Sequence, residues 1–268
     1  MAGDSSEIDL SAIDTSVPHS ARVWNYWLGG KDNFAVDRVA GDQYREAFPD
    51  IVPLARESRR FLGRVVTYLA GEVGIRQFLD VGTGLPTADN THEVAQRVAP
   101  DARIVYVDND PLVLAHARAL LVSTPEGATD YVDADMRHPE TVLAGAAKTL
   151  DLSKPVALLF MGVLGHIPDT GQARAIVTGL LDGLPSGSYM ALSDGTTDMG
   201  EGAEQAEEEY ADSGATPYVS RTPEELASFF DGLELVEPGL VSMEHWRPQL
   251  VAVDAPARFG LAGVARKP

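Results

Sequence analysis

The sequence predicts a doubly wound α/β sheet from about residue 73 to the end, with a helical segment of roughly 55 residues ahead of it. Three observations carry that reading. Short apolar runs alternate with segments of helical periodicity over most of the chain. One run, "PVALLFMG", is apolar almost without interruption, as a parallel strand covered on both faces must be. The first run ends in a glycine-containing turn that leads into a helix, "FLDVGTGLPT".

Residues 1–17 are read as a flexible tail, because "MAGDSSEIDLSAIDTS" is acidic and has neither the basic nor the apolar part of a secretory signal. A cytoplasmic protein is therefore expected. Residues 18–72 form the helical segment. In "IVPLARESRRFLGRVVTYLAGE", Leu54, Phe61, Leu62, Val65, Val66 and Leu69 recur at helical spacing, with Arg56, Arg59, Arg60 and Arg64 on other faces. From residue 73 the strands are "QFLDVG", "RIVYVD", "DYVDAD", "PVALLFMG" and "SYMALSD". Helices are expected near 88–98 and 111–121, and in "TGQARAIVTGLLDGL", where Ile176, Val177, Leu180 and Leu184 make a stripe. Thr222, Pro223 and Glu225 start another helix as cap, first-turn proline and capping-box partner. "LELVEPGLVSM" and "RFGLAGVARK" read as two closing strands. No internal repeat and no membrane-spanning apolar run is present.

Composition narrows the chemistry. The 268 residues are 44% hydrophobic, enough for one large domain with an appendage. There is no cysteine, which excludes disulfides, thiolate metal sites and cysteine nucleophiles. Six histidines are scattered without metal-ligand spacing, so no protein-held metal is expected. A net charge of −19 repels phosphate backbones and argues against nucleic acid as a partner. From Asp194 to Glu237 there are 13 acids against one base, Arg221. The densest part, "EGAEQAEEEYADSG", reads as a solvated helix face or as a recognition element for a cationic acceptor.

Three strand ends carry candidate binding residues. Gly82 and Gly84 let the backbone approach a ligand at a helix N-terminus, and Asp80 precedes them. The dinucleotide fingerprint needs a third glycine where this chain has Thr87, which argues against a pyrophosphate-linked cofactor. Asp108 falls at the tip of the second strand, where an acid can hold ribose hydroxyls, and Asn109 can donate to the same sugar or to a base. The alternative is that Asp108 and Asp110 only cap the next helix. After the third strand, Asp135 can accept from an adenine amino group, and Met136 can lay its thioether on the ring. Together these residues describe an adenosine pocket across the carboxyl edge of the sheet.

With these residues in place, the sequence resembles the class I S-adenosylmethionine-dependent methyltransferases. It is most similar to the actinobacterial S-adenosyl methyltransferase family first catalogued as a domain of unknown function. The stretch "RVWNYWLGGKDNF" (22–34), "FLDVGTGLPT", "VYVDNDP" and "DADMR" carry the likeness, which runs from Pro18 to Lys267. It implies a Rossmann-like fold with a seven-stranded, mostly parallel sheet, helices on both faces and an N-terminal helical lid over a cofactor-binding domain at 73–268. It implies S-adenosyl-L-methionine as cofactor, with Asp80, Gly82 and Gly84 on the methionine half. Asp108 would meet the ribose, Asp135 and Met136 the adenine, and Thr83, Asn109 and Met161 the same pocket. Where the family commonly has a histidine-rich turn after the fourth strand, this chain has Gly165 before His166.

The aromatic stretch before the first strand then has a reading. Aromatic faces stabilise a desolvated sulfonium by about 0.5–2 kcal/mol each. Trp24 and Trp27 are expected mainly to glue helices to the sheet. Tyr26 is expected in the pocket and Lys31 on the cofactor carboxylate, so Tyr26→Ala should weaken cofactor binding. His166 is the candidate general base, with a packing or capping role as the alternative. The expected function is in-line methyl transfer to a small-molecule acceptor. The rivals are a non-catalytic binder of the cofactor or its demethylated product, and a nucleotide-dependent oxidoreductase, which Thr87 disfavours. The segment 195–220, with Tyr210 and Tyr218, is expected to wall the acceptor side.

Overall fold

A computed structural model describes residues 13–120, 122–248 and 259–268. Most of the proposed N-terminal tail lies outside the described residues, as does the start of the last predicted strand.

Three helices come first: α1 (Ser20–Trp27), α2 (Ala35–Ala47) and α3 (Ile51–Tyr68), the last ending in a π-helical turn at Leu69–Val73. The alternation follows as β1 (Gln77–Val81), α4 (Thr91–Val98), β2 (Arg103–Asp108), α5 (Pro111–Leu120), β3 (Ala128–Asp133), α6 (Pro139–Ala146), β4 (Ala157–Met161), α7 (Thr170–Asp182) and β5 (Tyr189–Asp194). α8 (Glu201–Asp212), α9 (Pro223–Ala227), β6 (Glu234–Leu235), β7 (Val241–Ser242) and β8 (Leu261–Arg266) complete it.

The strand order is β3-β2-β1-β4-β5-β8-β6, parallel through β5, with β8 antiparallel to β5 and both β6 and β7 antiparallel to β8. The sheet has eight strands rather than seven. The predicted run "LELVEPGLVSM" is broken into β6 and β7, because Pro238 has no N–H for a ladder and Gly239 turns at φ +92°.

Alternating side chains feed two cores. Phe78, Ile104, Tyr106 and Leu159 pack under Phe61, Val65 and Val66 of α3. Leu79, Val105, Val107, Leu158 and Phe160 pack on the other face against Val142, Ile176 and Leu180 of α6 and α7. The capping box read at Thr222 is present, with Glu225 N–H donating to Thr222 Oγ1 at 3.2 Å. The acidic run at 201–212 is helical, with Ala203, Ala206 and Tyr210 buried and its glutamates largely exposed. No helix among the described residues is long and apolar enough to cross a membrane.

The chain runs outward from β1 to β3 and then returns to place β4 on the other side of β1. Such a reversal parts the connections at the carboxyl ends of β1 and β4 and leaves a crevice there.

Candidate functional site

That crevice is a cavity of about 300 Å³. Its floor is the carboxyl tips of β1, β2 and β4 with residues 134–137 after β3, and α1 and α3 contribute the opposite wall. Asp80, Asp108 and Asp135 all line it.

The β1 turn is built by its glycines. Gly82 has φ +71° and Gly84 φ +65°, a region that penalises any side chain. A Cβ on Gly82 would overlap the side chain of Val163, whereas one on Gly84 would have no neighbour nearer than Ala21 Cβ at 4.0 Å. Thr83 lines the cavity and its hydroxyl donates to Asp80 O at 3.2 Å.

Asp80 is buried and accepts from Thr91 Oγ1 at 2.6 Å. Burial pushes its carboxyl up to about 6, against the opposing pull of the Thr91 hydroxyl and the Arg59 guanidinium. Asp108 accepts three backbone N–H groups: Gly84 at 2.9 Å, Asn109 at 2.9 Å and Asp110 at 3.0 Å. Burial raises its pKa in spite of them. The helix cap is supplied by Asp110, which accepts from Leu112 N–H at 2.8 Å and lies 2.9 Å from His19 Nδ1. Asp108 is thus the organiser of the β1–β2 edge, and a carboxylate holding three donors has a lone pair left for a ligand.

Asp135 is held by Arg137, whose Nε donates to both oxygens at 3.0 and 2.9 Å. That hydrogen-bonded pairing lowers its pKa. Met136, Asn109 and Met161 also line the cavity.

Two expected residues are not there. Tyr26 is half-buried on the far side of α1, against Gly41, and its hydroxyl donates to Asp42 Oδ1 at 2.9 Å. Lys31 is exposed beyond the Gly29–Gly30 turn. The reason is helical phase. Ala21, Trp24, Asn25 and Leu28 line the cavity at i, i+3, i+4 and i+7, and Tyr26 falls about 200° round from Trp24. Trp24, expected mainly to pack, is the tryptophan at the cavity.

Other contacts of the "RVWNYWLGGKDNF" stretch fix α1 in place. Buried Arg22 pairs with buried Asp37 at 3.1 Å and donates to Asp14 O and Val17 O. Asn25 Oδ1 accepts from Asp32 N–H at 3.1 Å and Asn33 Nδ2 at 3.0 Å, which pins the turn. Trp27 Nε1 donates to Gly41 O at 3.0 Å.

Arg59 on α3 lines the cavity in place of Lys31. One of its terminal nitrogens donates to Asp89 O at 2.9 Å, but its buried Nε has no partner among the described residues. Burial lowers its pKa. No signal in the sequence separates Arg59 from Arg56, Arg60 and Arg64 on the same helix.

His166 follows β4 and borders two cavities, the one above and a smaller one of about 80 Å³. Trp24, Ser20, Ser58 and Gly162 border both as well. The second cavity is walled by α1, α2, α3, α8 and the end of β5, with Tyr210 and Tyr218 from the segment expected on the acceptor side. His166 Nδ1 lies 2.9 Å from Pro217 O. A carbonyl only accepts, so Nδ1 carries the proton and Nε2 keeps its lone pair. Burial lowers the imidazole pKa, which keeps the ring neutral at pH 7. A Cβ at Gly165 would overlap the Tyr218 ring, which is why no second histidine stands beside His166.

A family model described as S-adenosyl methyltransferase matches residues 6–268. Among solved structures, a DUF574-family protein from Streptomyces avermitilis is 45% identical, with a TM-score of 0.91 over 95% of this chain and 99% of that one. A putative methyltransferase from Thermobifida fusca is 41% identical, with a TM-score of 0.87 over 95% of this chain and 96% of that one. An O-methyltransferase family 2 protein from Planctomyces limnophilus, solved with apigenin, shares the fold at 20% identity and a TM-score of 0.50, over 87% of this chain and 66% of that one. A search of curated proteins finds no match.

Proposed function

The chain belongs to the S-adenosyl methyltransferase family, and on that premise we propose that the larger cavity takes the cofactor while a small-molecule acceptor enters the smaller one. The protein is an S-adenosylmethionine-dependent methyltransferase. The observation that carries the reading is the junction: a polar cavity at the strand tips meets an apolar one at Trp24, Gly162 and His166.

The residues fit an adenosine joined to an amino acid. Asp108, with a lone pair to spare, suits a ribose, and the space over Gly84 admits a ligand against the backbone. Asp135, Met136 and Asn109 stand where the base would lie. Arg59 has a buried donor without a partner, which suits a carboxylate, and Asp80 suits an ammonium. When bound, the cofactor supplies a methyl group already activated on a sulfonium.

The chain's own part is alignment and exclusion of water, which can lower a barrier by about 7–11 kcal/mol at best. Residues 18–72 act as the lid, with α1 over both cavities. His166 Nε2 takes a proton when the acceptor is an alcohol or a protonated amine. Trp24 offers an aromatic face at the junction. The net charge of −19 argues against nucleic acid as the acceptor.

Calorimetry with S-adenosyl-L-homocysteine tests the cofactor site, and saturable heat is expected. Labelled methyl transfer into a pool of small metabolites tests the acceptor. Transfer only to protein or nucleic acid would overturn the small-molecule reading.

A further inference from the structure

The wall of the smaller cavity is apolar over Trp27, Tyr44, Phe48, Ile51 and Leu54. Asp194, at the carboxyl end of β5, stands in that wall and is only 3% exposed. Its Oδ1 is occupied: the Tyr218 hydroxyl donates to it, and Gly195 N–H approaches at 3.2 Å. Its Oδ2 makes no hydrogen bond of ordinary geometry among the described residues, although the Gly165 N–H also acts on the carboxylate. Arg221, whose charge acts on Asp194, directs its guanidinium N–H groups to Leu164 O, Ile167 O and Thr170 Oγ1. The hydroxyl of Tyr210, in the same wall, is also without a partner among the described residues.

A carboxylate oxygen accepts and does not donate. Leaving one buried without a donor forfeits its hydration for nothing, so such an oxygen marks a missing partner. The walls limit that partner's size. A cavity of about 80 Å³ is smaller than the roughly 150 Å³ void that takes benzene, so a single ring fits only with one end reaching into the larger cavity.

Resting on the assignment of the larger cavity to the cofactor, we infer that Asp194 anchors an acceptor of single-ring size that bears a hydroxyl or amino donor on an otherwise apolar body. Asp194 fixes which molecule is held and how it is turned. The reacting end lies toward His166 and Trp24, which border both cavities.

Ligand-observed NMR titration with phenol, toluene and benzaldehyde tests this on the full chain, with and without saturating S-adenosyl-L-homocysteine. A hydrogen bond to a buried charge is worth about tenfold or more in affinity, so phenol is expected to bind at least that much more tightly than toluene. Asp194→Asn keeps an oxygen for Tyr218 and puts an N–H₂ group where Oδ2 stands, so benzaldehyde is expected to overtake phenol. Equal affinities for phenol and toluene, no saturable phenol binding, or an unchanged order in a folded Asp194→Asn protein would overturn the inference. Should Asp194→Asn fail to fold, the phenol–toluene pair on the wild-type protein decides. Loss of homocysteine-adduct binding with the phenol preference intact would sink the cofactor assignment and leave the anchor standing.

Discussion

Two cavities sit along one sheet edge, and they hold their polar groups in opposite ways. The larger one is crowded with committed donors and acceptors: Asp108 with three backbone N–H groups, Asp80 with Thr91, Asp135 with Arg137. The smaller one is mostly hydrocarbon and aromatic ring, with Glu207 tied to Ser220 and the buried carboxylate of Asp194 keeping an unpartnered oxygen. The buried acids Asp80 and Asp194 show the contrast at its sharpest. Burial raises each to about 6, yet Asp80 faces an arginine across a polar cavity, and Asp194 meets a tyrosine in an apolar one. A site with many fixed partners holds one ligand in one pose. A site with few unpartnered polar atoms selects by donor and size, and tolerates variation elsewhere.

The largest effect that separates the two is expected at Asp108. Asp108→Ala removes an acceptor from three backbone N–H groups and should weaken S-adenosyl-L-homocysteine binding about a hundredfold or more, by calorimetry. Asp194→Asn should leave that constant within about twofold. A loss in both would mean that the cavities work as one.

The second test is stability against pH. Because Asp80 and Asp194 have raised pKa values in the folded chain, the native state holds protons between about pH 4 and 6 that the unfolded chain has released. Their contribution is present below pH 4 and is lost as pH rises through about 6. Relative to wild type, Asp80→Asn and Asp194→Asn should each gain about 2 kcal/mol on going from pH 4 to pH 7, measured by denaturant unfolding at both values. A flat difference for one acid alone would show that the two burials are not alike.

The third concerns the cofactor carboxylate. Arg59→Met should weaken S-adenosyl-L-homocysteine binding about tenfold, and Lys31→Ala should leave it unchanged. The reverse result would restore the lysine. The smallest effect is expected at Tyr26, where Tyr26→Phe loses one half-exposed hydrogen bond to Asp42. It should cost less than about 1 kcal/mol of stability and nothing in cofactor affinity.

The fold and the strand-tip residues are legible because strands report themselves twice, by apolar runs and by the turn residues that end them. Asp80, Gly82, Gly84 and Asp108 stand at chain positions that a parallel sheet brings to one edge whatever else happens. Arg59 and Asp194 are not legible in that way. Arg59 reads as one of several arginines on a helix, and Asp194 as one of 13 acids in an acidic stretch. What singles them out is the missing partner of a buried atom, which exists only once the chain is packed.

The alternation of short apolar runs with segments of period 3.6 was enough to determine a doubly wound sheet and the acids at its rim. It did not determine which side of α1 would meet the cavity, since Trp24, Tyr26 and Trp27 are all large and aromatic and any of them could serve. The buried Arg22–Asp37 pair and the Trp27–Gly41 hydrogen bond settle that rotation by packing α1 on α2. A helix advances about 100° per residue, so this one choice carries Trp24 to the ligand side and Tyr26 away from it.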